Sequence, residues 1–249
     1  MHSVFISDIH IKSSRGKGTE VFLSFCRNPN VKKAKNIYFL GDIFDLLIGE
    51  HKNYIRDYAF FFNEIINFLA EGKTVTFIEG NHDFHFEKTI KRYIRKKSKN
   101  WQNFFYYKNS IEIKSGHKKI LICHGYEVDY DNKYFKRWYK IYSSKFMYIL
   151  SSYILPYFII KKLGDWASSN SKKRGQKVFN YDEMKQKYIR GANDLLEEKM
   201  VDIVVAGHTH IPAHKKYSNG KLYVNNGFPK RDLLYIAFDG EEFSLNSLN

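Results

Sequence analysis

The stretch NIYFLGDIFD, Asn36 to Asp45, joins a strand-length apolar run to a glycine and two aspartates within ten residues. β-Branched and aromatic residues suit an extended segment, and Gly41 suits the tight exit that follows it. The same design recurs as SVFIS before Asp8, TVTFI before Gly80, KILIC before His124 and DIVVA before Gly207, with KLYVN and LLYIAF near the C-terminus. Between the early runs lie helical patterns, notably Tyr54 to Glu71, which Gly72 is placed to stop. Strands alternating with helices predict an α/β fold. No linker or internal repeat divides the chain, so residues 1–249 are expected to form a single domain.

One segment departs from this rhythm. Residues 134–177 separate two strand patterns, are helical in character and exceed an ordinary connection, so they read as an insertion. Within them KFMYILSSYILPYFIIKK, Lys145 to Lys162, has no charge between Phe146 and Ile160. That run falls short of the roughly 20 residues that cross a hydrocarbon core. Pro156 also interrupts it, and a membrane span is not expected.

Bulk composition narrows the field less. A formal net charge of +15 and a pI near 9.5 suit a nucleic-acid binder, an anionic membrane surface or an enzyme acting on phosphates. Lysine exceeds arginine and Asn, Ile, Tyr and Phe abound, so roughly half of the basic excess is assigned to background composition. Two isolated cysteines, Cys26 and Cys123, make no disulfide framework and favour a reducing compartment. The N-terminal MHSVFISDIH has no signal-peptide pattern, and the mature protein is read as beginning there.

Five polar clusters stand at the ends of five apolar runs: Asp8 and His10, Asp42 and Asp45, Asn81 to Asp83, His124, and His208 with His210. In open α/β sheets, loops beyond the carboxyl ends of strands bring distant side chains together around a ligand. Asp, Asn and His donors suit Mn²⁺, Fe or Zn²⁺. In D-x-H and H-x-H an extended backbone would point both side chains the same way. Asp8, His10, Asp42, Asn81, His124, His208 and His210 are too many for one tetrahedral ion and suit two bridged by a carboxylate, for which Asp42 is the candidate.

In this order the motifs D-x-H, G-D-x-x-D, G-N-H-D, H and G-H-x-H resemble those of the calcineurin-like metallophosphoesterases, matched from Asp8 to His210. The resemblance implies a four-layer α/β/β/α sandwich with a di-metal centre. It places Asp8, His10, Asp42 and His210 on one ion and Asp42, Asn81, His124 and His208 on the other, Mn²⁺ first and Fe or Zn²⁺ as alternatives. A hydroxide bridging two such ions would attack phosphorus in line. His82 would face the phosphate and protonate the leaving group or stabilise charge, and Asp83 would fix the His82 tautomer. Asp45 is read as supporting these groups or simply shaping the turn.

Within that superfamily the chain most resembles the UDP-2,3-diacylglucosamine diphosphatases of lipid A biosynthesis, through FISDIHI, FLGDIFDLLIGE, GNHDF, Asp131 with Tyr134, and GDWASSNSKKR. The resemblance implies cleavage of a pyrophosphate to UMP and an acylated sugar 1-phosphate. The insertion would be a helical lid over the acyl chains, at the cytoplasmic face of a membrane. Asn81, His82, Asp131, Ser171, Arg174 and Lys177 would bind substrate. Two departures stand out: the proteobacterial branch has Arg where this chain has His82, and Gly175 and Val178 occupy two positions that are polar in that branch. A nuclease or other nucleotide phosphodiesterase is the alternative, encouraged by charge. The insertion is more aliphatic than a base-stacking surface, so no nucleic-acid partner is expected.

Overall fold

Residues that alternate along each central strand are apolar on both faces, and the molecule accordingly buries both. In β1 (Ser3–Ile6), Val4 and Ile6 face helices while Phe5 faces a second sheet. The computed structural model describes residues 2–129, 133–164 and 180–249, the side chains of 133–136 excepted.

The first sheet has the order β13-β12-β1-β2-β4-β6. Its members are β1, β2 (Asn36–Phe39), β4 (Thr74–Ile78) and β6 (Phe104–Tyr107), all parallel, with β12 (Leu234–Phe238) and β13 (Phe243–Ser247) antiparallel at one edge. The second has the order β10-β11-β9-β8-β7. There β8 (Lys118–Ile122), β9 (Ile203–Ala206) and β11 (Leu222–Asn226) run parallel, between the antiparallel β7 (Ile111–Ser115) and β10 (Pro212–Lys216). A two-residue pair, β3 (Leu47–Ile48) with β5 (Asp83–Phe84), ties two of the loops together.

Three apolar cores separate four layers. Helices α1 (Lys17–Arg27) and α4 (Ala59–Ala70) bring Phe22, Phe25, Phe61 and Phe62 against Ile6, Phe39 and Phe77. Phe5, Leu40 and Ile78 meet Ile122, Val205 and Val224 between the sheets. The long helix Tyr181–Glu198 packs Ala192, Leu195 and Leu196 on Val204 and Tyr223. This is the expected α/β/β/α sandwich.

Short helices complete the first layer: α2 (Pro29–Lys33), α3 (Asn53–Asp57) and the basic α5 (Glu87–Lys97). The single helix expected over Tyr54–Glu71 is two, because Tyr58 leaves helical geometry at φ −117°, ψ 33°. Gly72, at φ 78°, follows the end of α4. Between β8 and the long helix come α6 (Lys133–Tyr142), α7 (Lys145–Ile149) running into a π-turn (Leu150–Ile154), and α8 (Tyr157–Gly164). The long helix is thus α9, and α10 is Pro229–Asp232. Among the described residues no single helix is long and apolar enough to cross a membrane, and the bend between the α7 segment and α8 is 117°.

Candidate metal centre

All five polar clusters emerge beyond the C-terminal ends of parallel strands, β1, β2 and β4 in one sheet and β8 and β9 in the other. The two sheets therefore deliver their loops to one edge of the sandwich. The extended backbone expected for D-x-H and H-x-H is not what unites the side chains. Asp8, His10, Asp42, His208 and His210 all have φ between 48° and 66°. Left-handed backbone is costly for residues with a Cβ and persists where surrounding contacts over-determine it. Here Asp8 N–H donates to Gly41 O at 3.1 Å and His10 N–H to Asp42 O at 3.0 Å, which lock the first two loops together.

One group of donors comprises Asp8, His10 and His210. Asp8 Oδ2 accepts from His208 N–H at 2.8 Å and lies 2.5 Å from the Ser7 hydroxyl. Among the described residues its Oδ1 is buried without a well-formed hydrogen bond, 3.1 Å from His210 Nε2. The Nε2 atoms of His10 and His210 face each other at 3.2 Å. A second group gathers at His124, whose Nε2 is 3.1 Å from Asn81 Oδ1 and 3.2 Å from His208 Nδ1. Leu40 O lies 2.7 Å from His124 Nδ1; a carbonyl only accepts, so the neutral ring carries its proton there and turns the Nε2 lone pair into the site.

Asp42 stands between them, Oδ2 3.8 Å from His10 Nε2 and Oδ1 3.7 Å from His124 Nε2. Ligand-type atoms converge within 4.8 Å in three overlapping sets: Asp8, His10 and His210; His10, Asp42 and His82; Asp8, Asp42 and His124. Protonation states agree with a cation site. Burial, reinforced by neighbouring imidazoles, lowers His10 to about 3 and His208 to about 4, so both rings are neutral at physiological pH. Burial opposes ionisation of Asp8 and Asp42, yet the surrounding histidines outweigh it and hold both pKa values low. Burial disfavours the charged His210 ring, but its hydrogen bond to Asp8 and the charges of Asp8 and Asp42 outweigh that and raise its pKa, so this ring would release its proton on binding a cation. Ionised carboxylates, the neutral rings of His10 and His208 and the lone pairs facing them fit divalent metal ions.

His82 is oriented by Asp45, not by Asp83. Its Nδ1 lies 2.9 Å from the Asp45 carbonyl, while Lys12 pairs with the Asp45 carboxylate at 3.2 Å. Asp83 is fully committed elsewhere: Oδ1 accepts from the N–H groups of Asp42 (2.8 Å) and Gly80 (2.9 Å), and Oδ2 from those of Ile43 (2.7 Å) and Phe44 (3.1 Å). Burial, then the charge of Asp42, raises its pKa, but four facing donors leave no acceptor for a carboxyl proton. The expectation that Asp83 fixes the His82 tautomer is therefore corrected; Asp83 ties the Asp42 loop to the Asn81 loop.

Gly80 makes that junction possible, since a Cβ there would fall 2.3 Å from both the backbone N and Oδ1 of Asp42. Gly80→Ala is expected to lose about 1–3 kcal/mol of stability in a denaturant titration. Hydrolysis should fall roughly 100-fold as Asp42 is displaced.

Several supporting residues carry no motif-level signal. Asn225 Nδ2 donates to Gly207 O at 2.7 Å, and Asn226 Oδ1 lies 2.9 Å from the Ser7 hydroxyl, so two adjacent asparagines at the end of β11 brace the loops of Asp8 and His208. Lys230 Nζ donates to His10 O at 3.0 Å and Arg231 Nη2 to His210 O at 2.6 Å. Phe228 stacks on the His210 ring at 4.9 Å. The NNG sequence ending an apolar run was the one available cue. Asp131, Ser171, Arg174 and Lys177 lie outside the described residues.

The profile of the calcineurin-like phosphoesterases matches residues 1–212. The chain belongs to that family. As a phosphoesterase it is a hydrolase of phosphoester bonds that uses divalent metal ions. Similar proteins include the UDP-2,3-diacylglucosamine hydrolase of Wigglesworthia glossinidia brevipalpis, 28% identical over 90% of this chain and 85% of that protein. The enzyme of the same name from Psychromonas ingrahamii is 26% identical over 98% and 96%. Among solved structures, an archaeal phosphodiesterase superposes with a TM-score of 0.52 over 99% of both chains at 12% identity, a likeness of fold.

Proposed function

We propose that this phosphoesterase hydrolyses the pyrophosphate bond of UDP-2,3-diacylglucosamine, giving UMP and 2,3-diacylglucosamine 1-phosphate. The observation that carries the reading is the run of exposed apolar side chains along α7, the π-turn and α8. Phe146, Tyr153 and Phe158 are 69%, 62% and 60% exposed, which is not how a core helix is placed. The opposite side of this segment is docked by polar contacts: His51 Nε2 lies 2.7 Å from Ser151 O, and the Tyr157 hydroxyl donates to Asp57 at 2.5 Å. An enzyme whose substrate carries two acyl chains needs such a surface, and relatives at 26–28% identity bear that substrate in their names.

In this reading Asp8, His10, Asp42 and His210 hold one ion and Asp42, Asn81, His124 and His208 the other, Mn²⁺ being the native choice. Bound ions supply Lewis-acid charge and lower the pKa of water. The chain does the rest: Asp42 positions both sites, and the Asp45 carbonyl keeps the His82 proton on Nδ1 in the neutral ring. In the imidazolium form Nε2–H of His82 faces the leaving oxygen and donates to it. Asp131, Ser171, Arg174 and Lys177 complete the substrate contacts. The segment 134–177 acts as a lid within a single domain. Exposed Lys91, Arg92, Arg95, Lys96 and Lys97 on α5, joined to the lid where Lys88 sits 5.2 Å from the Tyr148 ring, favour peripheral attachment to an anionic cytoplasmic leaflet.

Mass spectrometry of products from UDP-2,3-diacylglucosamine in ¹⁸O water tests the proposal. UMP is expected, with label on one product identifying the phosphorus attacked. Faster cleavage of single- or double-stranded DNA by the Mn²⁺-loaded protein would replace this reading with a nuclease.

A further inference from the structure

A cavity of about 340 Å³ lies between the sandwich and the helices α6 and α7, next to the metal centre but not part of it. Its lining is polar where a chamber for acyl chains would be apolar. Glu79 is buried there, its Oε1 accepting from His85 N–H and from the Tyr106 hydroxyl, each at 2.8 Å. His85 is buried in left-handed backbone at φ 61°, and its Nδ1 has no hydrogen-bond partner among the described residues. Tyr142 and Tyr148 supply aromatic walls, the latter edge-on to His85 with ring centroids 5.2 Å apart. Lys108 and Asn109 stand at the rim, Asn109 Oδ1 accepting from the Tyr139 hydroxyl at 2.7 Å.

An alkyl chain placed here would strip water from a carboxylate, an imidazole and an ammonium without replacing a single hydrogen bond. A flat heterocycle makes the opposite match. Tyrosine faces offer stacking, Glu79 accepts an N–H, and Lys108 and the Asn109 amide donate to ring carbonyls. Position agrees as well. The segment from Asn81 to His85 leads from the metal centre into the cavity, and His85 follows His82 by three positions, at most about 11 Å of backbone. A nucleoside monophosphate spans that interval with its phosphorus at the metals.

We propose that this pocket seats the nucleoside half of the substrate, leaving the acyl chains to the outward apolar face of α7 and α8. The inference rests on the nucleotide-linked substrate proposed above.

Titration calorimetry of the full chain loaded with Mn²⁺, against UMP, inorganic phosphate and decyl phosphate, tests it. Asn109 is exposed, and asparagine tolerates left-handed backbone, so Asn109→Ala and His85→Asn preserve the fold. Each variant is expected to bind UMP five- to tenfold more weakly than the wild type while inorganic phosphate binding stays the same. Unchanged UMP binding, equal weakening of UMP and phosphate, or no UMP binding by the wild type overturns the proposal. A loss confined to decyl phosphate overturns it too, by assigning the pocket to an acyl chain. The two readings fail separately. Selective UMP weakening in a protein inert toward UDP-2,3-diacylglucosamine would keep the pocket and remove the substrate, whereas turnover of that substrate with unaltered UMP binding in the variants would do the reverse.

Discussion

Asp42→Ala is expected to reduce hydrolysis of every phosphodiester at least 1,000-fold, the largest single loss in the molecule. The side chain is buried midway between the two donor groups, and its Oδ1 also accepts the His82 N–H at 2.8 Å. On the proposed assignment, removing it would take the shared ligand from both ion sites and release the loop that carries His82. Several kcal/mol of transition-state stabilisation depend on the ions, and about 4 kcal/mol corresponds to a thousandfold. Bound metal, measured by plasma mass spectrometry on the gel-filtered protein, should fall with activity. His82→Ala gives the contrasting result: full metal content and a loss of about 100- to 1,000-fold in kcat, as for removal of one charge-stabilising donor. Asp42→Ala with native metal content and native turnover would defeat the assignment of Asp42 as the bridge.

The parts of this centre that were legible in the sequence are those that obey local rules. Apolar runs ending in Gly, Asp or His marked both the strands and their ligand-bearing ends, because a strand buried on two faces leaves its polar residues nowhere else to go. TVTFI coincides with β4 residue for residue. Strands at or near the sheet edges escaped notice: Ile111–Ser115 and Pro212–Lys216 carry charges on their open faces and have no continuous apolar run. The local backbone at the ligands was also invisible, since left-handed φ at Asp8 or His208 follows from contacts between loops distant in sequence, Asp8 with Gly41 and His208 with Asp8. For the same reason Asp83 looked like a partner of its neighbour His82. Four backbone N–H groups, three of them from residues 42–44, converge on its carboxylate only after the loops meet. Asparagines 225 and 226 illustrate the limit: their side chains work across 16 residues or more, and no period or spacing encodes that.

The apolar segment between His124 and His208 supports the second large prediction. Ile149→Asp combined with Phe158→Asp should lower turnover of UDP-2,3-diacylglucosamine roughly 100-fold while leaving a small chromogenic phosphodiester unaffected. Both side chains are exposed, at 40% and 60%, so their replacement removes little from the folded core and the melting temperature should hold. The loss comes from the acyl chains, each CH₂ of which gains about 0.8 kcal/mol on leaving water for an apolar wall. Forfeiting three or four such contacts amounts to about 3 kcal/mol, or two orders of magnitude. The polar underside of the segment, through Ser151 and Tyr157, is untouched by the two substitutions, so the metal centre and His82 keep their positions. Equal loss on both substrates with a lowered melting temperature would mean that the segment is part of the core, and the substrate surface would have to be sought elsewhere. Loss on the lipid substrate alone would tie the exposed face to the acyl chains, because no other part of that substrate is apolar.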